Sequence, residues 1–150
     1  MVLRYAFFIT TALCLLTNGC NTATSKKTVQ KQTPQQDVLE VMSTEPDNPA
    51  EMASGQQLNV HIFYQLNITE TAQIWARPYK NGQKAPGYKA HHLIPVDSKK
   101  ENSGFVTGWF SFDKPAEIDE VRVFMRNSAT GKIIKRCSYR VSAKWTEAGG

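Results

Sequence analysis

Trp75, Arg77 and Tyr79 occupy every second position of one apolar segment, and Arg122, Phe124 and Arg126 do the same in another. Arg136 and Arg140 follow in the last segment of the chain. Residues two apart share one face of a β-strand, so each set shows its guanidiniums and rings together. A guanidinium forks onto carboxylate or phosphate within its plane and stacks on a ring through its face. The chemistry implied is recognition of an anion, not bond making. If the last two segments pair across a five-residue turn at 127–131, Arg126 faces Lys132 and Arg122 faces Arg136, with Phe124 and Ile134 between them. Like charges directly opposite destabilise a strand pair. Such a pairing calls for cross-sheet acids, ring stacking or an external anion. Lys135 falls on the inward parity, which points to a bulge that shifts the register.

Other reactive side chains form no comparable set. His91 and His92 are adjacent, and adjacent strand residues point to opposite faces; with His61 the only other histidine and no cysteine spacing that fits zinc, no metal site and no cofactor are expected. Asp119 and Glu120 are neighbouring carboxylates at a corner, expected to accept turn amides instead of forming an acid–base pair. There is no Gly-x-Ser-x-Gly and no glycine-rich phosphate loop. The expectation is a protein that binds and does not catalyse.

The elements that position these residues follow a distinct N-terminus. Arg4 supplies a positive charge, and residues 5–16 form an apolar run shorter than the roughly 20 residues that span a bilayer. A charge, a short apolar core and a small residue before a break make a secretory signal. With Gly19 and Cys20 at the junction and Leu16 before them, the segment resembles the signal of bacterial lipoproteins. That resemblance implies cleavage after Gly19 and acylation of Cys20 by three chains. Each buried CH₂ contributes roughly 0.8 kcal/mol, and two chains already anchor stably. Asn21 stands where an inner-membrane retention signal has Asp, which favours the outer membrane. The expected location is the bacterial cell envelope, with the domain facing the periplasm or the surface, and the sequon at Asn67 is then irrelevant.

Once Cys14 leaves with the signal and Cys20 takes the lipid, Cys137 has no partner, and a disulfide framework is excluded. Cys137 is expected to be a buried free thiol, behaving as a small hydrophobe. Charge is uneven along the mature chain. Residues 21–55 hold three lysines against five acids (net −2), whereas residues 56–150 hold fourteen Lys and Arg against eight Asp and Glu (net +6). The basic part favours anionic partners and says nothing of fold.

Residues 20–55 are rich in Thr, Gln, Ser and Pro, and such composition does not offset chain entropy. They are expected to form a flexible linker with a reach of roughly 30–35 Å, although residues 37–42 have the pattern of a helical turn or a docking segment. From Leu58 the period changes to two. Leu58, Val60, Ile62, Tyr64, Leu66 and Ile68 predict one face of a half-buried strand. Further strands are predicted over 73–79 (ending at Asn81-Gly82, with Pro78 suited to an edge or a strand terminus), 88–96, 105–112, 118–126 and 133–145. Ile74 and Ala76 pointing inward put Trp75, Arg77 and Tyr79 outward.

Six or seven strands separated by Gly, Pro and Asn turns predict an all-β, antiparallel β-sandwich over residues 56–146, followed by a disordered tail at 147–150. The order resembles an immunoglobulin-like or fibronectin type III-like module. The resemblance implies that Trp75 lies on the third strand, where such a core buries a tryptophan, and that residues 121–145 form the terminal hairpin. The resulting functional expectation is a lipid-anchored, non-enzymatic envelope module that positions or stabilises another envelope component, with a protein partner. The alternative is a carbohydrate or anionic-polysaccharide binder using Trp75, Arg77, Tyr79, Arg122, Phe124, Arg126, Arg136 and Arg140. A third is an immunity or inhibitor lipoprotein acting through a loop such as residues 99–103. Nucleic acid is discounted for a secreted, membrane-anchored domain.

Overall fold

The computed structural model describes residues 35–147. The expected signal, Cys20, the first part of the expected linker and residues 148–150 lie outside the described residues. Within them the chain forms strands and no helix. They are β1 (Val38–Glu45), β2 (Ala50–Ala53), β3 (Gln57–Gln65), β4 (Thr71–Lys80), β5 (Gln83–Lys84), β6 (Tyr88–Ala90), β7 (Ile94–Asp97), β8 (Ser103–Phe112), β9 (Ala116–Asn127) and β10 (Ile133–Thr146). One sheet has the order β1-β3-β8-β6; the other runs β2-β10-β9-β4-β5, with β7 also paired to β4. All pairs are antiparallel except β2 with β10. The described residues form an all-β sandwich of ten strands, where six or seven were expected.

The extra strands have physical causes. The expected linker is corrected from Asp37 onward: residues 38–45 and 50–53 are strands of the two sheets, so the folded part begins well before residue 56. Pro46 and Pro49 lie in the crossing between them, where a missing N–H extends neither ladder. Only a few side chains in this stretch are buried, chiefly Leu39, Thr44, Ala50 and Met52, and a bulge after Val41 leaves Met42 exposed. The predicted strand at 88–96 is two: β6 joins the first sheet and β7 the second. Asn81 and Gly82, with φ of 50° and 75°, make the tight turn that adds β5.

Alternation on β3 continues on its partners. Leu58, Val60, Ile62 and Tyr64 face Ala72, Ile74, Ala76, Val121, Val123 and Met125 across the sandwich, with Phe110, Phe112 and Trp145 filling one end. A fully buried side chain of this kind stabilises by roughly 1.5–3 kcal/mol. The core tryptophan is Trp145, fully buried, with its Nε1–H donated to Gln56 O at 2.9 Å. Ile68 does not continue the apolar face of β3; it is exposed. The chain turns there because Asn67, Ile68 and Thr69 donate their backbone N–H groups to Asp37 Oδ1 at 2.7, 2.9 and 3.3 Å, and the Thr69 hydroxyl donates to Oδ2. Pro78 is neither terminal nor at an edge. Its carbonyl accepts Ala85 N–H, so its nitrogen also points toward the β5 side, and the ladder to β9 loses nothing.

Candidate functional site: the outer face of the six-stranded sheet

Ile74 and Ala76 are buried between the sheets, and Trp75, Arg77 and Tyr79 consequently project from the outer surface of β4. Trp75 is therefore not the core tryptophan that the immunoglobulin-like resemblance implies. On β9 the same parity sends Val121, Val123 and Met125 inward and Glu120, Arg122, Phe124 and Arg126 outward. Register then fixes four rows across β4, β9 and β10. Gln73 pairs with Arg126 and Ile133; Trp75 with Phe124 and Arg136; Arg77 with Arg122 and Ser138; Tyr79 with Glu120 and Arg140. All eight residues singled out by spacing share this one face.

Their pairing differs from the expected one. Arg126 faces Ile133, not Lys132; Arg122 faces Ser138, not Arg136. A turn one residue tighter than expected, with Asn127 N–H donated to Lys132 O, and a bulge between Ile133 and Lys135 each slip β10 by one residue along β9. The slip carries Arg136 over the Phe124 ring, 5.3 Å from its centroid, and replaces two like-charge pairs by ring contacts. One like-charge pair remains across the other ladder, where Arg77 faces Arg122.

At the centre, Trp75 and Phe124 stack at 5.4 Å with planes 14° apart. Arg77 lies 5.8 Å from both rings, and Arg126 lies 5.7 Å from Trp75. Arg122 lies 4.0 Å from the Tyr79 ring. Five such contacts on one face exceed the roughly one per 70–80 residues found in proteins at large, so stacking is what organises these guanidiniums. Phe124 is buried beneath them although it points outward.

Electrostatics divide the arginines. Arg122 donates Nε to Glu120 Oε1 at 2.9 Å and Nη2 to Oε2 at 2.7 Å, a bidentate pair. Hydrogen bonds from Arg122 and from Ser138 hold the Glu120 carboxyl below the usual range against the opposing effect of burial, with Arg140 adding to the field. Arg126 donates Nε to Gln73 Oε1 at 2.8 Å. Among the described residues, Arg77, Arg126 and Arg136 make no salt bridge. The Trp75 indole N–H, enclosed by its neighbours, has no acceptor there either, and a donor left in that state costs about 1–3 kcal/mol.

Of the remaining candidates, Asp119 accepts the Asn81 turn amide at 2.8 Å, as the corner position suggested. His91 and His92 are exposed in the β6–β7 crossing, where His91 lies edge-on to Trp109. His61 is elsewhere, bonded to Thr107 Oγ1 and 3.8 Å from Glu45. No three His, Cys, Asp or Glu residues converge among the described residues. Cys137 is half-buried, less enclosed than expected. Burial pushes its thiol up and Glu40 adds to this, against amides of Val41 and Val123 that lower it.

The outer face of the first sheet carries a surface that spacing alone does not reveal. Phe63 and Phe105 meet at 5.4 Å, and Phe105 and Met42 are exposed. Phe63 lies on the polar-reading side of β3, between His61 and Gln65, which hides it in the alternation. A cleft of about 560 Å³ at one end of the sandwich is lined by Lys80 and Lys114 as well as Asp113 and Glu117. With both signs present it selects no ligand charge.

Fold and face together define a two-sheet β-sandwich with a guanidinium–aromatic sheet surface. No protein-family model matches the chain, and no curated protein is significantly similar to it.

Proposed function

We propose that the protein is a lipid-anchored, non-enzymatic binding module of a bacterial envelope, an immunoglobulin-like sandwich that holds another envelope component against its six-stranded sheet. The observation that carries this reading is the row of stacked guanidiniums around Trp75 and Phe124, three of them without a carboxylate among the described residues. Contact with the rings holds each guanidinium on the sheet and leaves N–H donors for a partner.

The sheet orders support the immunoglobulin-like assignment. In that reading β1, β3, β8 and β6 correspond to strands A, B, E and D, and β4, β9 and β10 to C, F and G. Departures are the absence of a disulfide among the described residues and the outward tryptophan on the C-like strand. The anchor rests on Arg4, the short apolar run and the Gly19-Cys20 junction.

Detergent extraction of the native protein, with mass analysis of the chain and of whatever accompanies it, tests the reading. The expected mature chain starts at a triacylated Cys20 and brings one envelope component with it, which Arg77→Gln/Arg136→Gln releases. A chain that starts elsewhere with a bare thiol at position 20 overturns the anchor. A companion retained by the double variant overturns the binding face.

A further inference from the structure

We infer that the outer face of β4, β9 and β10 is a subsite for an acidic polysaccharide, with Arg77, Arg126 and Arg136 as the groups that bind its carboxylates or phosphates and Arg122 as a structural ion. The inference rests on the reading of this sheet surface as the recognition face, and it names the ligand class.

The division of labour comes from the partners. Arg122 spends a bidentate fork on Glu120 and lies flat on Tyr79. The Nε–Nη2 edge of its fork is committed. Arg126 uses only Nε, on Gln73, and keeps its terminal amino groups. Arg77 and Arg136 lie against rings and have no carboxylate within salt-bridge distance among the described residues. The centre of the face thus holds guanidinium donors, and the carboxylate that balances charge sits at one end, on Glu120.

Two features favour a polymer of acidic sugars over a protein. Protein interfaces enrich arginine and aromatics alike, but their aromatic anchors enter pockets on the partner, whereas here Phe124 is already buried under arginines and its ring is covered by guanidiniums. Breaking those stacks to expose rings would cost the contacts that order the site. The second feature is spacing. Arg77 on β4 and Arg136 on β10 stand two strands and one row apart, about 12 Å between backbones by strand and residue spacing, with Arg126 on β9 between them, one row beyond Arg136 and two beyond Arg77. A flexible chain of charged sugars lying across the strands meets all three.

The test uses the full-length protein in non-ionic detergent, with polygalacturonate as the carboxylated glycan, dextran as the neutral one and polyglutamate as an acidic peptide. Binding to polygalacturonate is expected at about 0.15 M salt and should weaken as salt rises; dextran should not bind. Arg77→Lys/Arg136→Lys keeps the net charge and loses two planar forks, and affinity should fall about tenfold or more. Lys99→Gln/Lys100→Gln, at the loop between β7 and β8, removes two charges and should change affinity less than about twofold. An equal loss in the lysine pair would reduce the effect to net charge and overturn the inference. So would polyglutamate binding that is tighter and equally arginine-dependent, because the ligand would then be a protein. The assay runs in solution whether or not Cys20 is acylated, so its failure leaves the anchor standing and loss of the anchor leaves it intact.

Discussion

Arg77 stands directly opposite Arg122 on the β4–β9 ladder, and of the two only Arg122 reaches a carboxylate among the described residues, Glu120 on its own strand. Two guanidiniums at a cross-strand position repel, and the sheet tolerates them because Glu120 neutralises one while Trp75 and Phe124 bed the other.

Replacing Glu120 by Gln tests that arrangement. The variant keeps the shape and loses the charge, so Arg122 confronts Arg77 without compensation. Thermal unfolding at neutral pH should shift down by about 3–6 °C. Since the Glu120 carboxyl is held below its ordinary range by Arg122 and Ser138, its stabilisation is complete above that range and fades as pH falls through the lowered value. Wild type and variant should therefore converge in acid, as read by melting temperature across a pH series.

Asp37 makes a second prediction. Its carboxylate is buried and accepts three backbone amides and a hydroxyl. Burial pushes the carboxyl up, but the hydrogen bonds from Ile68, Thr69 and Asn67 outweigh it and hold it below the usual range. Asp37→Ala leaves those donors without their acceptor and should cost about 2–3 kcal/mol at neutral pH. The difference should shrink below about pH 4, where the carboxylate of the unfolded chain begins to take up its proton ahead of the native one. Urea midpoints at several pH values measure both effects. A variant as stable as wild type would mean that β1 is not latched to the β3–β4 loop by this residue.

How much of this could be read from the residues depends on which face they lie on. The β3 strand was legible because Leu58, Val60, Ile62 and Tyr64 face one core without interruption. On β4, Ile74 and Ala76 sufficed to turn Trp75 outward. β1 and β2 were not legible as strands, because edge strands bury few residues and Pro46 and Pro49 give the stretch the composition of a linker. The eight-residue face followed from period two alone, since parity survives a slip of the whole strand by two. The pairing on it did not. A bulge between Ile133 and Lys135 inserts one residue, and the only trace in the sequence is a lysine on the inward parity. The free state of Arg77 beside the paired state of Arg122 depends on which side chain Glu120 reaches, and spacing does not encode that.

The two tryptophans differ in what their removal should do. Trp145 is fully buried against Phe110 and Phe112, with ring centroids 6.1 and 4.7 Å away. Trp145→Ala removes that volume and strands Gln56 O, at a cost of about 3–5 kcal/mol, a large share of the roughly 5–15 kcal/mol typical of a domain. Trp75→Ala removes a half-buried ring from the outer face and, with it, an unsatisfied donor. It should cost far less stability and release Arg77 and Arg126 from their stacking surface. Chemical denaturation separates the two: a cooperative transition near that of wild type for Trp75→Ala, and a large fall in midpoint for Trp145→Ala.

Cys137 reports on the seam between the sheets. The residue sits half-buried on β10, and its thiol is influenced by the Val41 amide and the Glu40 carboxylate of β1. Burial acts first, raising the thiol above its ordinary range, so less thiolate is present at any given pH and alkylation, which needs thiolate, is slowed. In the folded protein at mildly alkaline pH, iodoacetamide should modify Cys137 much more slowly than it does after unfolding in denaturant. β1 is an edge strand paired on one side only, to β3, and edge elements open below the free energy of global unfolding. Asp37→Ala removes the bonds at its start and should accelerate alkylation at Cys137 under conditions where the rest of the sandwich remains folded. Unchanged alkylation in that variant would place the thiol's protection in β9 and β10, independent of the strand that lies across it.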